Sequence, residues 1–375
     1  MHMFAAFYFV IVLSIEQEWK FSYDELISLW TLGALLIGLG ALPSGWLSDR
    51  WSRSSMMVIM FIGMGLSSIL CGFSNDKYFL FVGLSFLGLA CSIYHPVGIA
   101  WVVNSSTKKG RDLGINGIFG GVGIGSGSFI AGLLIKYFNW KIAFIIPGII
   151  SIIIGLILLL FIINKKISFL NTKSTNIGEK NSSNNLVLIA GIMLFSMFIL
   201  GLTFQILQTS IPKVFDIRIE NISTFAIGTI IGIVYTIAGF MTFIGGIMAD
   251  KFSLKKIYVI GIAFQAPCLL FIAFLSNFSL ILFFLIVAMF NSSILPTENI
   301  LLAKFTPQKH HGLIYGIKFI IAFGSAPLAV FLISKIYERT SEFTEIFIIS
   351  SILIFLASFF VLFLPVKNAR LKISN

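Results

Sequence analysis

The chain is expected to fold as an all-α polytopic membrane protein, with about twelve transmembrane helices in two six-helix bundles related by pseudo-two-fold symmetry. Three observations predict this. Hydrophobic residues make up 58% of the chain and charged residues only 11%, where a soluble domain carries roughly a quarter charged. Apolar runs recur with the ~20-residue length that a ~30 Å hydrocarbon core demands. A charged clasp between two such runs, "GWLSDRWSR" at 45–53, also returns as "GIMADKFSLKK" at 246–256.

Taken in order, the apolar runs place helices near 3–18, 25–47, 55–74, 78–103, 113–137 and 142–163, then near 186–211, 224–248, 257–275, 279–305, 312–337 and 344–365. The first run, Met3 to Ile15, is short for a span; either it continues toward Trp19 or the true first helix begins upstream. It has no basic leader and no small-residue cleavage site, so it does not read as a cleavable signal peptide. Residues 164–185, rich in Asn, Ser and Lys, read as a linker. They divide an N-terminal bundle, 1–163, from a C-terminal bundle, 186–375. The helices are long and continuous, which excludes an outer-membrane barrel with its alternating strands of about ten residues.

Charge sets the expected orientation. Arg50, Arg53, Lys108, Lys109, Arg111, Lys165, Lys166, Lys173, Lys180, Lys251, Lys255, Lys256, Lys304, Lys309, Lys367, Arg370 and Lys372 fall on one set of alternate loops and termini, the other set holds fewer than half as many bases, and the acids Glu16, Glu18, Asp24, Glu25, Glu338, Glu342 and Glu345 lie on that poorer side. The positive-inside rule then puts both termini and the linker in the cytoplasm of a cell with its inner membrane around it. The net charge of +11 is explained by topology and calls for no nucleic acid. Cys71, Cys91 and Cys268 each lie in an apolar run without the spacing of a metal site or a disulfide framework, and read as small packing residues. No metal or cofactor is expected.

The clasps align with an offset of 201: Gly45 with Gly246, Asp49 with Asp250, Arg50 with Lys251, Ser52 with Ser253. "YHPVG" at 94–98 likewise matches "ILPTE" at 294–298, and "NGIF" at 116–119 matches "YGIK" at 315–318. Duplicated halves in a polytopic protein suggest rocking of two bundles about a midplane site.

On Gly45, Asp49, Arg50 and Arg53, with Gly246, Asp250 and Lys251 in the second copy, the chain resembles the major facilitator superfamily over nearly its full length. Ser52 stands where that family usually has Gly, and Ser54 where it usually has a base. The resemblance implies secondary transport of a small organic solute by alternating access, as a monomer in the lipid bilayer, with the clasps as a cytoplasmic gate. In the fifth helix, "GINGIFGGVGIGSGSFIAG" carries Gly114, Gly123, Gly127 and Gly132 at the spacing of the family's exporter motif, with Ser128 in place of the expected Pro and Ala131 in place of a Gly. A small-residue face for close helix packing explains the same glycines. "IYHPVGIAW" and "GLIYGIKF" look similar to bacterial members of the fosmidomycin-resistance type. The fourth helix lacks the Arg that many proton antiporters of the family carry.

Ionisable groups inside a bilayer are costly and mark pairs or functional sites. Three stand out: Glu298, Lys318 and His95, each about 10 Å below the cytoplasmic surface at ~1.5 Å rise per residue. Pro96 and Pro296 interrupt the helices that carry His95 and Glu298. Glu298 and Lys318 are expected to pair across neighbouring helices, either permanently or until protonation or a charged substrate separates them. Gln205 and Gln208, three apart, share a helix face and could bond a polar substrate or a neighbouring helix. Tyr315 and Asn291 offer further polar lining. No P-loop is present, and one intramembrane acid with one His does not make a catalytic constellation. A transporter-like fold serving as a sensor or assembly partner is the alternative.

Overall fold

The structure is a computed structural model that describes residues 1–105, 109–165, 186–305 and 311–365; most of the expected linker, the side chain of Asp49 and that of Tyr315 lie outside the described residues. Among the described residues there are helices and no strand, and eleven of the helices are long and apolar enough to cross a membrane.

The N-terminal half comprises α1 (His2–Ala6 continuing as Tyr8–Trp19), α2 (Tyr23–Ser28 and Thr31–Arg50), α3 (Arg53–Gly72), α4 (Lys77–Cys91, a π-helical turn Tyr94–Gly98, then Ile99–Ser105), α5 (Lys109–Tyr137) and α6 (Trp140–Ile163). The C-terminal half comprises α7 (Leu186–Arg218), α8 (Thr224–Lys251), α9 (Leu254–Ala263 and Gln265–Phe274), α10 (Ser279–Ser293 and Leu295–Phe305), α11 (His311–Thr340) and α12 (Thr344–Val361). The short first run does continue to Trp19. It is the twelfth helix, and it is apolar all round because it is buried all round, with every residue from Phe7 to Leu13 in the core.

Polar side chains start the helices where the sequence breaks. Asp76 Oδ1 accepts from the N–H groups of Tyr78 and Phe79, both at 2.9 Å, and Asn139 Oδ1 accepts from Ile142 N–H at 3.0 Å. Ser223 caps α8 through Ala226 N–H at 3.2 Å. Ser52 Oγ accepts from Ser55 N–H at 3.2 Å, so the serine that departs from the family pattern caps α3, satisfying an otherwise orphaned donor. The breaks in α4 and α10 follow from Pro96 and Pro296, which cannot donate to the helical ladder; α4 absorbs the loss in its π-helical turn.

Among the described residues, two long seams run between the halves, and α1 packs on α7 and α8 between them. Along the first, α5 and α8 approach so closely that a Cβ at Gly121 would lie 2.5 Å from Gly239 Cα, and one at Gly125 would lie 2.4 Å from the Gly232 carbonyl oxygen. Only glycine allows that backbone approach. Along the second, α11 packs on α2. The three cysteines are free and buried.

Candidate functional site

The two clasps sit at the α2–α3 and α8–α9 turns, on what is here called the basic face. Their glycines do the same work in both halves. A Cβ at Gly45 would meet Pro96 Cβ at 3.2 Å, and one at Gly246 would meet the Pro296 ring at 4.0 Å. Each clasp glycine therefore lets its helix lie against the proline break of the fourth helix of its own half. The charges are less alike. Arg50 is exposed and its guanidinium lies 4.0 Å above the Trp46 ring, a cation–π contact. Asp250 and Lys251 are exposed, and among the described residues neither has an ion-pair partner. Lys255, from the second clasp, donates to the Leu364 carbonyl at 2.7 Å and so ties the turn to the end of α12. Arg53 stands at the first position of α3.

The opposite face is closed by bonds between the halves. Lys213 on α7 donates to Glu16 of α1 at 2.7 Å and to Asp216 at 2.9 Å. The Tyr23 hydroxyl donates to the Thr209 carbonyl at 3.0 Å, and the Ser334 hydroxyl to the Asp24 carbonyl at 3.1 Å. The Tyr23 ring meets those of Tyr337 and Phe343 edge-on, at 5.1 and 6.0 Å. Further bonds brace each half at this face, Glu18 to Trp140 and Glu25 to Lys77 in the first, Arg218 to Glu342 in the second. Burial pushes the Glu342 carboxyl up, but the Arg218 guanidinium and the Phe343 N–H outweigh it and hold the group below its usual value. Among the described residues, every hydrogen bond between the halves lies at this face.

Inside the C-terminal half, Glu298 and Lys318 meet as the sequence suggested, at 2.6 Å, with Glu298 2% and Lys318 8% exposed. Two further groups complete the cluster: the Tyr258 hydroxyl donates to Glu298 at 3.0 Å and is itself 3.0 Å from the Ser196 hydroxyl, while Lys318 also donates to Asn299. Helices α7, α9, α10 and α11 thus converge on one buried ion pair whose lone pairs and protons are satisfied, which is what makes such a pair tolerable. Neither Tyr258 nor Ser196 was among the sequence candidates; a tyrosine in an apolar run carries no signal of its own.

The remaining candidates separate. Asn291 donates to Gln265 at 3.2 Å and its amide is used in holding α10 to α9. His95, in the π-helical turn, faces the His2 ring at 5.2 Å, and Tyr94 bonds Asn116 of α5 at 2.7 Å. Gln205 and Gln208 have no hydrogen-bond partner among the described residues. Of the α5 glycines, Gly123 and Gly127 seat α1: a Cβ at Gly127 would lie 2.6 Å from the Met3 carbonyl oxygen. Gly132 seats α8, with a Cβ 3.0 Å from Thr224 O. Gly114 lies in α5, its surroundings outside the described residues.

A duplicated bundle of six helices, with clasps at matching turns and one buried charge cluster, defines a polytopic membrane protein of the two-repeat class. The family model described as Major Facilitator Superfamily matches residues 1–217 and 186–375, and the chain belongs to that family. It is 28% identical over 148 residues to the riboflavin transporter RibZ of Clostridioides difficile, covering 38% of this chain and 32% of that one. It is 27% identical over 144 residues to a gallate transporter of Pseudomonas putida, again 38% and 32%. Against the niacin transporter NiaP of Acinetobacter baylyi the identity is 22% over 247 residues, 64% and 55%. The chain therefore spans about a third to a half of the length of these relatives. A bacterial homolog of the human lysosomal transporter Spinster, solved in an inward-facing and occupied conformation, superposes with a TM-score of 0.73 over 96% of this chain and 93% of that one, at 13% identity, a likeness of fold.

Proposed function

We propose that the protein is a secondary transporter of a small organic solute, working by alternating access in the inner membrane with the basic face and both termini in the cytoplasm. The observation that carries this reading is the set of bonds that ties the two halves together at the face opposite the clasps. A carrier needs ties between its two bundles that can be made at one face and exchanged for ties at the other, and polar bonds between side chains of the two halves are ties of that kind. The glycine seam between α5 and α8 gives the halves a continuous surface on which to tilt. Relatives named as transporters of riboflavin, gallate and niacin support an organic solute.

Two roles follow for named residues. The clasp acids and bases, Asp49, Arg50 and Arg53 with Asp250 and Lys251, form the gate at the cytoplasmic face in the state where the opposite face opens. Glu298 is the proton-coupling group: protonation dissolves its ion pair with Lys318, and the Tyr258 hydroxyl, itself bonded to Ser196, holds the neutral carboxyl. Uptake by proteoliposomes tests the whole reading. Solute flux that responds to an imposed proton gradient supports it, and saturable binding with no flux would favour the sensor instead.

A further inference from the structure

The α7 face that meets the N-terminal half descends from the closed gate in steps of about one turn: Lys213, bonded to Glu16; Thr209, bonded to Tyr23; then Gln205. Gln208 adjoins that face. It is 8% exposed and makes no hydrogen bond among the described residues, and its carboxamide atoms are not sealed off from open space; the same holds for the half-buried Gln205 and for the hydroxyl of Tyr235, which is 4% exposed. Tyr235 stands on α8 with its ring 6.0 Å from Phe204, one helical turn from Gln208 on α7. Two carboxamides, a phenol and an aromatic wall thus gather beneath the gate with their hydrogen-bonding capacity unspent.

Polar groups that open on a space between helices and make no bond within the protein keep their donors and acceptors for whatever enters that space. The groups left open here are all uncharged. The nearby cations are taken: Lys213 faces two carboxylates, so that the gate cluster of Glu16, Asp216 and Lys213 carries one net negative charge, and Lys318 is held by Glu298 and Asn299. An anionic solute would have to be buried against that charge, at a cost its hydrogen bonds would not recover. A carboxamide offers two donors and an acceptor on one plane. We infer that this site takes a small uncharged ring compound whose edge presents both a donor and an acceptor, held by Gln205 and Gln208 with its ring against Phe204 and Tyr235. The inference rests on the transport reading for its purpose, not for its geometry.

The test uses purified full-length protein and two sets of ring-matched probes: nicotinamide, nicotinate and 1-methylnicotinamide; benzamide, benzoate and benzamidine. Within each set the ring is constant and the charge is zero, negative or positive. Binding is read by thermal shift and titration, transport by counterflow in proteoliposomes. The expected result is that an uncharged member of at least one set binds about tenfold more tightly than its charged partners, and that Gln208→Ala loses about tenfold of that affinity, the scale of one or two neutral hydrogen bonds. Gln208→Glu, which keeps the size of the side chain, should move the preference toward the cation. Preference for a charged member, unchanged affinity in a folded Gln205→Ala/Gln208→Ala variant, or no uncharged binder in either set overturns the inference. Flux of a charged probe alone would overturn it while leaving transport standing; neutral binding without flux would do the reverse.

Discussion

The two halves repeat one another in their backbone and differ in their chemistry. Gly45 against Pro96 and Gly246 against Pro296 are the same contact at an offset of about two hundred residues. One step further along the fourth and tenth helices the likeness ends. Glu298 lies two residues after its proline, and so does Gly98; Tyr258, 201 residues after Met57, bonds Glu298, while a Cβ at Gly98 would touch the methyl of Met57 at 3.7 Å. The polar cluster of one half is filled by a glycine and a methionine in the other. Duplication kept the glycine–proline contacts in both halves, while the buried Glu298–Lys318 pair lies within the C-terminal one. In this reading the C-terminal half is the coupling side, and the matching turn of the N-terminal half carries the His2–His95 and Tyr94–Asn116 contacts instead of an ion pair.

The largest effect should come from breaking that asymmetry. Glu298→Leu leaves Lys318 charged and buried without its counterion, and should lower stability by about 3–5 kcal/mol; adding Lys318→Met should restore most of it. Thermal unfolding in detergent measures both, and a single variant as stable as the double would show that the pair is not buried as described. Glu298→Gln, which keeps the size and one acceptor oxygen for Lys318 while its NH2 can donate to the Tyr258 hydroxyl, should fold and should remove the pH dependence of transport; retained proton-driven uptake excludes Glu298 as the coupling group.

The clasp glycines sharpen the comparison. Gly45→Leu must displace Pro96 from closer range than Gly246→Leu displaces Pro296, so it should cost more, about 1–3 kcal/mol, an overpacking effect. Equal costs would mean that the two prolines yield alike. Asp49→Asn should slow turnover by about tenfold, on the scale of one charge-assisted hydrogen bond, while substrate affinity stays within about twofold; unchanged turnover removes the gate role.

The smallest effect concerns the bracing of the opposite face. The Glu342 carboxyl titrates below its unfolded value, so its contribution is present above the ordinary carboxylate range and disappears as pH falls through the lowered folded value. Glu342→Gln should therefore narrow the stability difference between neutral and acid pH, slightly, because the group is partly exposed. A pH–stability curve identical to that of the parent protein would show that Arg218 does not hold the carboxylate.

Much of this was legible in the chain. Helix number and the repeat followed from apolar period and the two clasps, because burial in lipid imposes a pattern that survives duplication. Glu298 with Lys318 could be paired because charges inside a membrane are scarce enough to seek one another. Lys213 could not be paired with Glu16: both sit among the charges of a loop-rich face, 197 residues apart, and nothing local tells which acid crosses the interface. The split role of the α5 glycines, some seating α1 and some α8, was equally invisible, since spacing marks a small face but not the helix that fills it. Asn291 looked like cavity lining and is spent on Gln265, whose own polarity within an apolar run was the signal that could have been read.

The central claim is that the halves tilt about the α5–α8 seam and exchange their ties between faces. Spin labels at Trp51 and Phe252, exposed on the two clasps, report one face; labels at Asn75 and Asn277, on the turns of the other, report the opposite one. Interspin distances measured in lipid with and without a transported solute should change in opposite senses, the clasp pair closing as the other pair opens. Two distances that stay fixed, or that lengthen together, while flux is observed would contradict the account.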